Sequence, residues 1–176
     1  MTVRSADDLR AKIREIPDFP KPGILFYDIT TLLKDREAFS DVIDRMADAV
    51  NGDQIDLVVG MESRGFIFAA PLAYKLGAGF VPVRKLGKLP AETVSVEYAL
   101  EYGTNTLEIH KDAIAPGQRV LVVDDLLATG GTVVGTIELL TMLKAEVVGL
   151  AFLVELTFLK GRDRLSKQNV HSVIEY

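Results

Sequence analysis

The chain has 176 residues, 48% of them hydrophobic and 26% charged, a balance that supports a buried core of domain size and argues against disorder. A net charge of −5 with an isoelectric point near 5.1 disfavours non-specific binding to nucleic acid or anionic membranes, yet leaves room for a small anion held by local positive charge. With no cysteine, disulfides, thiolate nucleophiles and cysteine-ligated zinc are excluded.

Ser5 and Asp8 form a capping-box pair, which predicts a first helix with Leu9, Ile13 and Ile16 on one stripe. Pro17 to Gly23 cannot be helical and reads as an extended, turning arm. A second helix is expected from about Asp35, with Phe39, Val42, Ile43, Met46, Ala49 and Val50 at helical spacing and a stop at Asn51-Gly52. The rhythm then changes to short apolar runs alternating with helices. Ile55–Gly60 is a strand, Arg64–Leu76 a helix, Phe80–Arg84 a strand, Arg119–Asp124 a strand, Thr132–Leu143 a helix and Val147–Leu156 a strand. Leu86–Asp112, polar and rich in Glu and Gly, reads as an antiparallel flap with Thr106–His110 as one strand.

Near-continuous apolar strands between helices indicate an α/β fold, a mainly parallel sheet flanked by helices, in a single domain over residues 1–176. No apolar run approaches the roughly 20 residues that cross a bilayer, and the start MTVRSADDLR lacks the apolar stretch of a signal peptide, so a cytoplasmic location is expected. His110 and His171 lack ligand spacing and read as structural or surface residues.

Open parallel sheets bind ligands at the carboxyl ends of their strands, which directs attention to Met61–Gly65 and Asp124–Thr132. The segment RVLVVDDLLATGGT, Arg119–Thr132, is the most informative in the chain. An apolar strand runs into Asp124-Asp125, then a short turn, then Ala128, Thr129, Gly130, Gly131 and Thr132 opening a helix. Glycines let backbone N–H groups approach an anion, and the helix start adds a positive dipole end. The two carboxylates suit the vicinal hydroxyls of a ribose or waters on a magnesium ion. A Walker A loop is ruled out because no Lys follows the second glycine, and the dinucleotide fingerprint because its third glycine is missing.

This segment resembles the phosphoribosyl-pyrophosphate signature of the type I phosphoribosyltransferases. FPKPGILFYDIT (Phe19–Thr30), ESRGF (Glu62–Phe66), RKLGKLP (Arg84–Pro90), LEYG (Leu100–Gly103) and VELTFLKGRDRL (Val154–Leu165) extend the resemblance, in order, to the adenine-specific members of that family. The resemblance implies the type I fold, with an arm and base-side hood over about residues 1–34 and a flap over about 86–112. It implies transfer of a 5-phosphoribosyl group to adenine in purine salvage, with magnesium as cofactor and a homodimer as the active unit. Ala128, Thr129, Gly130, Gly131 and Thr132 would hold the 5-phosphate, and Asp124 and Asp125 the ribose hydroxyls. Glu62, Ser63 and Arg64 would form the pyrophosphate loop, sometimes with a cis peptide, aided by Arg84 and Lys88. Leu25, Phe26, Leu127 and Arg64 would meet the adenine. Glu101 would manage the purine proton and Tyr102 would belong to the closing lid.

Two positions bear on specificity. In 6-oxopurine relatives the place of Ala128 is typically an Asp that helps protonate N7; here Glu101 is the substitute, which favours adenine. Tyr27 stands where many relatives carry Arg, so no charged contact is carried over to it. Residue by residue, blander readings compete: solvated acids at Asp124-Asp125, a solvated basic loop at Arg84–Lys88, plain core at Phe26 and a solubilising charge at Glu101. For the whole chain the alternatives are a phosphoribosyltransferase for another purine, a non-catalytic regulator that binds phosphoribosyl pyrophosphate, and an anion-binding interaction module.

Overall fold

The computed structural model describes residues 4–50, 52–99 and 104–176. Two compact units are present, Met1–Arg45 and Met46–Tyr176.

In the N-terminal unit, helix α1 covers only Ala6–Arg10. Ser5 caps it: its side chain accepts from Asp8 N–H, and Asp8 accepts from Ser5 N–H, as the sequence pattern predicts. The helix does not continue to Ile16, because that residue is drawn into a strand. Strand β1, Arg14–Pro17, pairs antiparallel with β2, Leu25–Asp28, in a register that sets Ile16 opposite Phe26. A single capped turn contributes too little to outweigh a hydrogen-bonded ladder. The intervening arm turns through a cis Phe19–Pro20 bond, with Asp18 Oδ1 accepting from Gly23 N–H at 2.7 Å. Arg14 and Asp28, opposite each other in the ladder, are also joined by Nε–H to Oδ2 at 3.0 Å. Helix α2, Thr30–Leu33, follows, and α3, Arg36–Asp48, carries the buried Val42, Ile43 and Met46 at the expected spacing. Asn51, half of the expected helix stop, lies outside the described residues.

The larger unit is built on one seven-stranded sheet in the order β5-β6-β4-β3-β7-β8-β9. The strands are β3 (Leu57–Met61), β4 (Gly79–Lys85), β5 (Thr93–Ala99), β6 (Thr104–His110), β7 (Arg119–Leu127), β8 (Glu146–Glu155) and β9 (Val170–Glu175). Pairings β4-β3, β3-β7, β7-β8 and β8-β9 are parallel. The flap strands β5 and β6 pair antiparallel, and β6 joins them to β4, so the flap extends the main sheet. Helix α4, Gly65–Leu76, packs on β3, β4 and β7; helix α5, Gly131–Met142, packs on β5, β6 and β8. Consecutive residues Leu121, Val122 and Val123 are all fully buried, which is what helical cover on both faces requires of a strand.

The chain leaves β3 for β4 on one side and β7 for β8 on the other. Adjacent β3 and β7 therefore flank the point where the sheet's winding reverses, and their carboxyl ends open onto a crevice. One strand end and one whole strand differ from expectation in ways that bear on the site. Strand β7, expected to end at Asp124, runs on to Leu127, so Asp125 is also strand and Asp124 lies in the ladder opposite Phe152. Strand β9 was not expected; its residues alternate too weakly, only Ile174 being buried.

Candidate active site

The crevice between β3 and β7 is built by two strand-to-helix connections. On one side β7 delivers Asp124 and Asp125, then bends through Ala128 and Thr129 to Gly130, which starts α5 with φ +79°. That left-handed backbone turns the chain sharply into the helix, whose first N–H groups have no partner within the helix. Gly131 and Thr132 form its opening turn. The five residues of the expected phosphate loop are thus contiguous around one helix N-terminus.

On the other side β3 ends at Met61 and is followed by Glu62 and Ser63, joined by a cis peptide bond, and by Arg64, which begins α4. Arg64 turns toward β7, with Nε 2.9 Å from Asp125 Oδ2. The two connections touch closely: a Cβ on Gly65 would stand 2.8 Å from Asp124 Oδ1 and 2.9 Å from Val123 O.

Electrostatically the acid pair is frustrated. Burial, and then the charge of Asp125, push Asp124 well above the usual carboxylate range. Burial raises Asp125 as well, against the pull of Arg64.

Glu62 is engaged on the far side. Its carboxylate accepts from Arg84 Nε–H at 3.3 Å, Arg84 Nη2–H at 3.4 Å and Lys85 N–H at 3.0 Å. Burial opposes its charge, but these donors hold its pKa below the ordinary value. Arg84 Nη1–H also donates to Lys88 O at 3.0 Å. The basic loop is shaped by a residue that spacing alone did not reveal. Glu108 on β6, 3% exposed, accepts from Lys88 N–H at 2.9 Å and Leu89 N–H at 3.0 Å. Burial works against its charge, yet the loop's N–H groups keep its pKa low. Its only signal in the sequence is a Glu between two apolar residues, Leu107 and Ile109, a pattern that ordinarily turns the acid outward. Here all three are buried.

Leu127 is fully buried among the apolar side chains of the larger unit. In the N-terminal unit, Leu25 and Phe26 lie on β2; Leu25 is exposed, and Phe26, half-buried, meets Phe19 edge to face with centroids 5.1 Å apart. Tyr27 faces Glu15 across the ladder, and burial, then that acid, raise its pKa. Glu101 and Tyr102, with their neighbours Leu100 and Gly103, lie outside the described residues. Among the described residues no group of three or more acidic or histidine side chains is arranged to hold a metal ion.

A strand ending in two acids, a glycine turn into a helix and an Arg-bearing loop opposite form the arrangement expected of a phosphoribosyltransferase. The family model described as "Phosphoribosyl transferase domain" matches residues 30–174. An adenine phosphoribosyltransferase of Acidobacterium capsulatum is 60% identical over 172 residues, covering 98% of this chain and 95% of that protein. The chain belongs to the adenine phosphoribosyltransferase family. Another member of the family, from Chloroflexus aurantiacus, is 61% identical over 169 residues, covering 96% of this chain and 98% of its own length. Among solved structures, the adenine phosphoribosyltransferase of Thermoanaerobacter pseudethanolicus superposes with a TM-score of 0.95 at 56% identity, covering 98% of this chain and all of the other. That of Saccharomyces cerevisiae, complexed with an imino-altritol bisphosphate and adenine, superposes with a TM-score of 0.91 at 42% identity, covering 96% and 98%.

Proposed function

We propose that this chain is a purine salvage enzyme that transfers the 5-phosphoribosyl group of phosphoribosyl pyrophosphate to adenine. The N9–C1 bond forms, the C1–oxygen bond to pyrophosphate breaks, and the N9 proton is lost, leaving AMP and pyrophosphate. The observation that carries this reading is the crevice between β3 and β7. It sets the acid pair and the glycine-opened helix on one side and Arg64 on the other, in a chain about 60% identical to adenine phosphoribosyltransferases.

In this reading Thr129 to Thr132 cradle the 5-phosphate with backbone N–H groups and hydroxyls. Asp124 and Asp125 accept from the ribose hydroxyls. Ser63, Arg64, Arg84 and Lys88 receive the pyrophosphate, while Glu62 contributes by fixing Arg84. Leu25, Phe26, Arg64 and Leu127 are assigned to adenine on the resemblance alone. So are Glu101, as the group that manages the purine proton, a contribution on the order of 10²–10⁴ in rate, and Tyr102, as part of the lid.

The acid pair also fits magnesium, a hard cation that takes oxygen ligands and keeps several waters. With Asp125 tied to Arg64, the pair suits an ion that arrives on the substrate's phosphates and is reached through water. When bound, magnesium would neutralise charge developing on the departing pyrophosphate.

One domain over residues 1–176 is the organisation we favour, because the family match at residues 30–174 and helix α3 both run across the boundary between the two compact units. A homodimer is supported by the resemblance and by an apolar stripe on α4, where Ile67 is 39% and Tyr74 91% exposed about two helical turns apart. If Arg84 serves the partner's site, mixing Arg84→Ala subunits with Asp124→Ala/Asp125→Ala subunits restores activity at one site per mixed dimer; if it serves its own, mixing restores nothing. We place the enzyme in the cytoplasm, in keeping with the composition of the chain; no helix among the described residues is long and apolar enough to cross a membrane.

Incubation with adenine, phosphoribosyl pyrophosphate and magnesium should give AMP and pyrophosphate in equal amounts, and excess EDTA should stop the reaction. With Ala128 in place of the acid of 6-oxopurine relatives, adenine should exceed hypoxanthine by up to ~10⁴ in kcat/KM. Comparable rates for the two bases would refute the assignment.

A further inference from the structure

The phosphate loop has a second wall that neither its motif nor its helix supplies. Strand β8 ends at Glu155, beside the end of β7, and Leu156 N–H donates to Leu127 O at 2.9 Å. The chain then passes through two short 3-10 turns, Thr157–Leu159 and Gly161–Leu165, separated by Lys160 at φ +54°. This brings Gly161 directly against the loop. A Cβ on Gly161 would stand 2.1 Å from Ala128 O and 3.1 Å from Gly130 N; a Cβ on Gly130 would stand 2.9 Å from Gly161 O. Two backbones therefore touch with no side chain between them.

A clasp holds the wall in place. Arg162 Nε–H donates to Glu155 Oε1 at 2.9 Å and Oε2 at 3.2 Å, Nη2 also pairs with Glu155, and Nη1–H donates to Val170 O at 3.1 Å. Ser172 Oγ–H closes on Glu155 Oε2 at 2.6 Å. Glu155 is 3% exposed, so its charge depends on these donors. On the outer side Arg164 Nη1–H reaches Thr129 O at 3.4 Å.

We propose that Gly161 and Arg162 are positioning residues for the phosphoribosyl site: Arg162, clasped to Glu155, presses the Gly161 backbone against Ala128 and Gly130 and so sets the direction of the loop's N–H donors. The proposal rests on the reading that this loop receives the 5-phosphate. A glycine-rich turn has many accessible backbone states, and an anion held by N–H groups is lost when they point elsewhere. The wall removes those states before the ligand arrives. The wall touches the loop at the Ala128 carbonyl, the Gly130 amide and, through Arg164, the Thr129 carbonyl. Ser63 and Arg64, assigned to the pyrophosphate, belong instead to the β3–α4 connection, so a ligand without a 5-phosphate should depend on the wall far less.

The test is calorimetric binding to the full chain of AMP, which carries the 5-phosphate, and of pyrophosphate with magnesium, which does not, alongside thermal melting. In Gly161→Ala the added methyl must displace the Ala128 carbonyl, and AMP binding should weaken by about tenfold or more while pyrophosphate binding changes less than about twofold. Arg162→Lys, at an exposed guanidinium, keeps the charge but loses the fork and should weaken AMP binding by about threefold with the same selectivity. This second variant carries the test if Gly161→Ala does not fold. Unchanged AMP affinity in a folded Gly161→Ala, or in Arg162→Lys when the first variant is lost, overturns the proposal, as does equal weakening of both ligands. If the unsubstituted protein binds pyrophosphate but not AMP, the phosphate-loop reading itself fails and takes this proposal with it.

Discussion

Arg84, near the end of strand β4, reaches the carboxylate of Glu62, just beyond the end of strand β3, with Nε 3.3 Å from Oε2 and Nη2 3.4 Å from Oε1. The pair joins the two basic and acidic elements that the sequence keeps 22 residues apart. If pyrophosphate binds here as proposed, a free carboxylate would repel it, and the charge of Glu62 is committed to Arg84 and to Lys85 N–H. Arg84→Ala should raise KM for phosphoribosyl pyrophosphate by about tenfold, and Glu62→Gln by a smaller factor, with KM for adenine within about twofold. Steady-state kinetics with each substrate varied in turn decides this; a rise confined to adenine would contradict it.

Glu108 should matter through the loop it folds. Glu108→Ala leaves the N–H groups of Lys88 and Leu89 without their acceptor and releases Lys88 O from its place beside Arg84. We expect KM for phosphoribosyl pyrophosphate to rise by about fivefold with kcat little changed. Glu108→Gln, which retains one carbonyl oxygen, should recover most of the loss. If Gln behaves like Ala, the carboxylate's charge and not its acceptor geometry is what the loop requires.

The acid pair should cost stability and serve activity. Folded pKa values raised above the unfolded value of 3.8 mean that the folded state binds more protons, so stability falls as pH rises from that value through the raised ones. Asp124→Asn removes the penalty. At pH 8 its melting temperature should equal or exceed that of the unsubstituted protein, while kcat/KM for phosphoribosyl pyrophosphate falls by about 10²-fold. A lower melting temperature at pH 8 would show that the carboxylate stabilises the fold instead.

Asp28 predicts the opposite pH dependence. Hydrogen bonds from Thr30, then Arg14, hold its pKa at about 2 against 3.8 unfolded. A depressed folded pKa contributes stability above the unfolded value that is lost as pH falls toward 2. Asp28→Asn should therefore destabilise the protein by about 1 kcal/mol at pH 7, a modest figure because Arg14 is largely in water, and the difference should shrink as pH falls through 2. Chemical denaturation at the two pH values measures it directly.

By itself the sequence determined the mainly parallel α/β sheet and, through the segment Asp124 to Thr132 that resembles its signature, the family. Those signals are local: apolar runs mark buried strands, and in Asp124 to Thr132 the acids, the glycines and the helix start are adjacent in the chain. The same local reading misjudged the first helix, since Ile16 is claimed by pairing with Phe26, and ended the strand at Asp124 when it runs on to Leu127. Only the tertiary structure decided that Glu62 is the partner of Arg84, that Glu108 turns inward to fold the Lys88 loop, and that Gly161 backs the turn from Ala128 to Gly130. Each of these joins residues 20 or more positions apart through the lateral order of strands, and periodicity along a chain carries no record of which strand ends will meet.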